Sequence, residues 1–403
     1  MKVWIDGAAE NDAQPVFGLS TIERHLRILR RLKPQPDEIV ISGGTDAKLV
    51  AGMSNVRRIA EDGPAGLRLA AFLRTVGSTP VLVIDGATVV DPRLVAFLAN
   101  SPGSIAAFGG DGAERAAVLR LENMAVPTDA ATLLALADRL LAAGQIAELK
   151  PEAFPSFIAN LRRDLPFYLF TARDRESRDR RERFLFWSNY KGSTDFLTKW
   201  VYPPLVWRLV QLSTRWRLHP NWITLLSVIL AFAAVPFFAT GQFAIGLAMA
   251  FAMSILDSVD GKVARLTFTD SRIGNVLDHG LDIVHPPFWY LAWAWGLGGH
   301  GMDAVMQAAL LLVGFYVADR LVLAVPKARF GRGLHSIHPI DMAVRTIIAR
   351  RNVNLVLFTA GLLAGKGIEA FYLVMLWQGA TFVWHAGRTA WLLVRPPAPR
   401  AAA

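Results

Sequence analysis

Asp257-Ser-Val-Asp260-Gly261-Lys-Val-Ala264-Arg265 is followed, after eight residues, by Gly274-Asn-Val-Leu-Asp278-His-Gly-Leu-Asp282. At about 100° of helical rotation per residue, Asp257, Asp260, Gly261 and Ala264 fall within about 100° of arc. Gly274, Asp278 and Asp282 step by four and share one face of the next helix. Turned toward each other, the two faces offer a cage of carboxylate oxygens. Hard oxygen donors without Cys or His suit Mg²⁺ or Mn²⁺. Gly261, Ala264 and Gly274 lack bulk on the same faces, which permits close helix approach or entry of a flat ligand. A competing reading pairs the acids with Lys262, Arg265 and Arg272 as a structural network. Too many acids converge for pairing alone, and carboxylates at a membrane edge point to function by default.

The elements that must position these residues are apolar helices. Leu218 to Leu256 runs for 39 residues without Asp, Glu, Lys or Arg. As one helix it would measure about 58 Å, roughly twice a hydrocarbon core, so it must fold back. Thr240-Gly241-Gln242 is the expected turn. Apolar runs at Ile283–Met302, Ala304–Ala318 extended to Pro326, Asn352–Gly365 and Ala370–Gly387 complete an expected six transmembrane helices, the fifth the shortest. Lys199, Arg208, Arg215 and Arg217 precede the first span, Lys262, Arg265 and Arg272 lie between spans two and three, and Lys327 to Arg351 between four and five. With the basic residues in alternate loops, both termini and the N-terminal half belong in the cytoplasm, at a bacterial inner membrane.

Residues 1 to about 150 read as a soluble α/β domain. Val3–Asp6, Glu38–Ser42, Pro80–Asp85 and Ile105–Phe108 are expected strands, with amphipathic helices at Thr21–Leu32 and Gly66–Val76 between them. Such alternation implies a mainly parallel sheet. The mixed-charge run from Thr171 to Arg183 is expected to be a solvated linking helix, because acids interleave its arginines. A net charge of +10 with 53% hydrophobic and 19% charged residues excludes a soluble nucleic-acid binder, so no nucleic-acid partner is expected. The absence of cysteine excludes a disulfide scaffold, a thiolate metal site and a cysteine nucleophile. No apolar stretch near Met1 has the character of a cleavable signal peptide.

The carboxylate spacing, D-x2-D-G-x2-A-R-x8-G-x3-D-x3-D, resembles the signature of the CDP-alcohol phosphotransferase family (class I CDP-alcohol phosphatidyltransferases), and every fixed position is present. Pro220-Asn221-Trp-Ile-Thr224 is similar to that family's P-N-x2-T. The resemblance implies a divalent-metal-dependent membrane transferase of phospholipid or related metabolism, with two Mg²⁺ or Mn²⁺ ions. It would pass a substituted phosphate from a CDP-linked alcohol, such as CDP-diacylglycerol or a CDP-polyol, to a polyol, polyol-phosphate or lipid hydroxyl, releasing CMP. Asp257, Asp260 and Asp278 would hold metal, with Asp282 both near the metals and general base. Gly261 and Ala264 would admit the cytidine, with Gly274 beside them. Asn221, Thr224 and Arg265 would touch nucleotide or phosphate, or brace the helices, with Asn221 equally a helix cap. Asp319-Arg320 is either a structural ion pair or, through Arg320, an acceptor contact. His335, His338, Arg345, Arg350 and Arg351 form a basic stretch that could meet an acceptor phosphate or lipid headgroups. His279 and His285 are not expected to be ligands. Membrane lipids are implied partners, and a homodimer is possible within the family.

Pro15-Val-Phe-Gly18, the helix that follows it, Asp37–Gly43 and Val81-Leu-Val-Ile-Asp-Gly86 resemble a sugar-phosphate nucleotidyltransferase. Gly7-Ala-Ala-Glu-Asn-Asp stands where that family has an Arg-bearing triphosphate loop, and Ala87 where it has a metal aspartate, so inactivity is expected. The full expectation is a nucleotidyltransferase-like α/β sandwich over 1–165, a charged linker and connector over 166–198 and an all-α membrane domain over 199–397. Lys191-Gly-Ser-Thr-Asp195 resembles the connector of bifunctional cytidylyltransferase/phosphotransferases of the di-inositol-phosphate synthase type, the alternative reading. A transporter or scaffold fits less well, because the motif lies at a cytoplasmic edge and not at midplane.

Overall fold

The computed structural model describes residues 1–44, 53–158, 161, 163–270, 272–298 and 300–397, without the side chains at 11–12, 272–273, 275–279 and 281. The chain divides into two units, Met1–Ile158 with Asp164–Ser188, and Ala159–Arg163 with Asn189–Ala403.

The first unit is built on β1 (Lys2–Asp6), β2 (Glu38–Ser42), β3 (Val56–Ile59), β4 (Val81–Asp85), β5 (Thr88–Val90), β6 (Ile105–Gly109), β7 (Ala116–Leu121) and β8 (Ala147–Glu148). A seven-stranded sheet runs β3-β2-β1-β4-β7-β6-β8, and β5 pairs outside it with Leu169–Thr171. β3, β2, β1 and β4 are parallel, as alternating strands and helices require, whereas β7 lies antiparallel between β4 and β6. Continuous apolar runs such as Val81-Leu-Val-Ile are buried because helices cover both faces of such strands. Those helices are α1 (Thr21–Leu29), α2 (Ala65–Val76), α3 (Pro92–Asn100) and α4 (Leu133–Ala142). Ser20 caps α1 and Asp91 caps α3, each side chain accepting a backbone N–H of the first turn. The charged run forms α5 (Arg175–Ser188), held by Glu182 accepting the Phe17 N–H at 2.6 Å and by Arg180 and Arg181 on Glu114.

The second unit is helical: α6 (Pro203–Arg215), α7 (Pro220–Ala239), α8 (Phe243–Thr267), α9 (Arg272–Leu297), α10 (Ala304–Phe330), α11 (Pro339–Val344), α12 (Arg351–Leu363) and α13 (Gly367–Val394). The long apolar run folds back at the expected turn, where Gly241 takes φ +74°, a left-handed backbone that glycine adopts without strain. Gly296 lets α9 approach α7, since a Cβ there would run into the Phe238 carbonyl oxygen. Trp293 stacks on Phe358 at 4.1 Å between ring centroids, and Trp289 Nε1 donates to the Ala231 carbonyl at 2.7 Å. Among the described residues, α7, α8 and α10 are long and apolar enough to cross a membrane. That is three of the six expected spans. The 13-residue α12 measures about 20 Å, short of a core of about 30 Å. α9 carries the acid cluster, and α13 buries Gln378, Thr381 and His385, which dilutes its hydropathy.

Candidate active site

Asp257 comes from the C-terminal half of α8, Asp282 from α9 and Arg351 from the first turn of α12. They line one cavity of about 190 Å³. Arg351 bridges the two acids, with Nη1 on Asp282 Oδ1 at 2.6 Å and Nη2 on Asp257 Oδ2 at 2.8 Å. Among the described residues the same wall carries Lys191, Lys262, Arg265, Arg320, Arg345 and Arg350, with Asp195 as a further acid. A concave site so rich in cations favours a polyanionic ligand.

Local sequence explains how Asp282 is held. Pro286 and Pro287 lie inside α9 and have no N–H, so the carbonyls four residues earlier, those of Asp282 and Ile283, lose their helical donors. The Tyr316 hydroxyl of α10 takes up both, at 3.2 Å from Asp282 O and 3.0 Å from Ile283 O. On α8, Asp260 is buried and turned toward α7: the Thr224 hydroxyl donates to its Oδ2 at 2.6 Å and the Gly261 N–H to its Oδ1 at 2.5 Å. Gly261 itself faces the cavity, and a Cβ there would crowd Arg265 Nη1 at 3.3 Å.

The cations nearest the acids in sequence have other partners too. Lys262 Nζ donates to the Ser258 carbonyl and stands 3.9 Å from the Tyr190 ring centroid, while Arg265 Nε donates to Asn189 Oδ1 at 3.1 Å. Arg320 lies over the Tyr316 ring at 4.8 Å and lines the cavity, whereas Asp319 bonds His385 Nδ1 at 2.5 Å instead of its neighbour. Asp195 is buried, which opposes ionisation. Arg350 and hydrogen bonds from Thr198 and Asn352 outweigh that burial and hold its carboxyl below the ordinary range.

Of the residues singled out in the sequence, Asp257, Asp282, Gly261, Arg265, Arg320, Arg345, Arg350 and Arg351 meet at the cavity, and Asp260 and Thr224 stand behind it. Asn221 is exposed, and the helix cap is His219, whose Nδ1 accepts the Asn221 N–H at 3.3 Å. Ala264 is half-buried on α8 and Gly274 sits in the first turn of α9, neither on the cavity wall. The side chains of Asp278 and His279 lie outside the described residues. Among the described residues no three His, Asp or Glu side chains form a ready metal cluster. The donor chemistry nevertheless fits a hard cation, because Asp257 and Asp282 already hold one cation between them through oxygen alone. Arg351 as their bridge, and Tyr190, Lys191, Asp195 and Asn352 as wall residues, were not assigned to this site from sequence. The available signal was polar: Lys191 to Asp195 before the first helix, and Arg350-Arg351-Asn352 opening an apolar one.

The sequence profile of the CDP-alcohol phosphatidyltransferase family matches residues 217–384. The chain carries a CDP-alcohol phosphatidyltransferase domain. No curated protein sequence matches the chain. Among solved structures it is similar to the phosphatidylinositol phosphate synthase of Mycobacterium tuberculosis with CDP-DAG bound, at 18% identity and TM-score 0.37 over 47% of this chain and 93% of that one. The same synthase in complex with manganese and citrate gives 18% identity and TM-score 0.37 over 47% and 89%. A candidate glucose-1-phosphate thymidylyltransferase of Bacillus anthracis in complex with sucrose gives 11% identity and TM-score 0.32 over 45% and 94%. The CDP-alcohol phosphatidyltransferase domain contains both acids and Arg351, whereas the wall segment from Asn189 to Thr198 precedes the matched region. The matched domain is that of a transferase family, and among the described residues three helices are long and apolar enough to cross a membrane.

Proposed function

We propose that the CDP-alcohol phosphatidyltransferase domain moves a substituted phosphate from a CDP-linked alcohol to an acceptor hydroxyl and releases CMP. The observation that carries this reading is the convergence of Asp257 and Asp282 on a cavity rich in cations. Asp257, Asp260, Asp278 and Asp282 are the groups that would hold Mg²⁺ or Mn²⁺, which when bound neutralises diphosphate charge. Asp282 takes the proton from the acceptor hydroxyl, whose oxygen forms a bond to the phosphorus carrying the alcohol. The bond from that phosphorus to the CMP oxygen breaks, and CMP leaves with its electron pair. Arg265 and Lys262 meet phosphate oxygens, and Gly261 leaves space for the nucleotide.

The first unit is nucleotidyltransferase-like and catalytically silent in this reading. Arg68, its buried cation beside the end of β1, is spent on Asp6 at 2.7 Å, the Ser42 carbonyl at 2.9 Å and the Gly63 carbonyl at 3.1 Å. The test is CMP release by the purified full chain supplied with a panel of CDP-alcohols, lipid and soluble, with and without EDTA. Release from at least one donor, abolished by EDTA and restored by Mg²⁺ or Mn²⁺, is expected. Metal-independent release, or none from any donor, would sink the proposal.

A further inference from the structure

We infer that Arg351 is a built-in counter-ion for the Asp257–Asp282 pair, and that a divalent cation must displace its guanidinium to bind there. The inference rests on the reading of these acids as metal-holding. It stands on geometry: one guanidinium reaches two carboxylates on two different helices, at 2.6 Å and 2.8 Å, each through its own nitrogen. A planar, permanently charged fork is the side chain best shaped for such a bridge.

The physical need is plain. Two carboxylates facing one partly buried cavity repel each other, and an uncompensated charge there is costly. Lys262 and Arg265, on the helix of Asp257, reach Ser258 and Asn189 among their partners, and α12 supplies a further cation from across the bundle. A divalent ion seeking the same oxygens therefore meets a pair whose charge is already partly compensated. Its binding energy is reduced by whatever it costs to break two charge-assisted hydrogen bonds. Once displaced, the guanidinium sits in a cavity already crowded with Lys191, Arg320, Arg345 and Arg350, where an incoming anion would compensate it. Arg351 thus acts as a positioning residue. It keeps the acids apart from adventitious cations and ties metal retention to the presence of an anionic substrate.

The consequence is opposite in sign to that of ordinary structural damage. Removing a residue that merely braces the site should weaken metal binding, whereas removing a competitor should strengthen it. Titrating Mn²⁺ alone into the detergent-solubilised full chain, and following free Mn²⁺ by electron paramagnetic resonance, reads this directly without catalysis. Arg351→Gln is expected to bind Mn²⁺ at least about tenfold tighter than the unaltered protein, a modest effect for losing a bonded cation at contact distance. Arg320→Gln removes a charge from the same cavity without touching the bridge, and a change within about threefold is expected. Should Arg351→Gln not purify as a folded protein, Arg351→Lys serves: it keeps one charge but cannot span both acids, and an increase of about threefold is expected. Equal or weaker Mn²⁺ binding in the Arg351 variants overturns the inference alone, as does an Arg320→Gln effect of equal size. Failure of every form to bind Mn²⁺ overturns the metal reading, and this inference with it.

Discussion

At the scale of single residues, the four acids of the motif are not equivalent. Asp260 spends its oxygens on Thr224 and the Gly261 N–H, which anchors α8 to α7. Asp257 and Asp282 share one cation and face open space. A metal ligand and a general base fail differently: losing the first weakens metal and nucleotide together, whereas losing the second leaves a loaded but inert site. Asp282→Asn is therefore expected to keep CDP-alcohol binding within about tenfold while turnover falls at least about a hundredfold, the usual scale for a lost general base. Calorimetry on the variant beside a CMP-release assay decides it. Binding lost in step with turnover would make Asp282 chiefly a ligand.

At the scale of elements, α9 is shaped by its prolines. Pro286 and Pro287 strip two carbonyls of their donors beside Asp282, and Tyr316 of α10 replaces them with one hydroxyl. Tyr316→Phe keeps the ring and removes that hydroxyl. Unsatisfied carbonyls at this bend cost about 1–3 kcal/mol, so turnover is expected to fall by about tenfold with the donor KM within about threefold. Steady-state CMP release separates the two; an unchanged kcat would mean that the bend holds Asp282 without Tyr316. In the first unit, α1 brings His25 against Thr88 of β5 in full burial. Burial, then the charge of Arg24, pushes His25 down to about 3. Below about pH 6.5 the unfolded chain binds a proton that the folded unit refuses, so stability is complete above that value and lost as pH falls toward 3. The loss approaches about 1.4 kcal/mol per pH unit. Hydrogen exchange over α1 in the full chain should show protection falling between pH 7 and 5, with a flatter slope in His25→Leu. Parallel slopes in the two proteins would remove the His25 account.

Across the whole molecule, two units of different chemistry share a chain, and with six spans nearly all basic residues of the second would fall in alternate loops, Lys366 excepted. Both termini are expected in the cytoplasm, so alkaline phosphatase fused after Ala403 should remain inactive in a bacterial host. Strong activity would revise the number of spans, with the short α12 the first to be reconsidered. The first unit is expected to be silent. Pyrophosphate release from CTP with any alcohol phosphate, if abolished by Asp85→Ala, would instead restore the bifunctional reading.

The features legible in the amino-acid order are local and periodic. Hydropathy set the fold-back at Gly241, the 100° helical step put Asp257 and Gly261 on one face, and continuous apolar runs marked the buried strands of the first unit. What only the tertiary structure decided is which distant group meets that face. Arg351 lies 94 residues from Asp257 and 69 from Asp282, and Asn352 lies 157 from Asp195. Helical periodicity fixes the direction in which a side chain leaves its own helix but says nothing about which other helix arrives opposite. Lys262 and Arg265 are nearer in sequence, and Ser258 and Asn189 are among the partners they reach from α8. The bridge between the acids falls to a residue of α12 because helix packing, and not sequence distance, sets where a long guanidinium can reach two carboxylates at once.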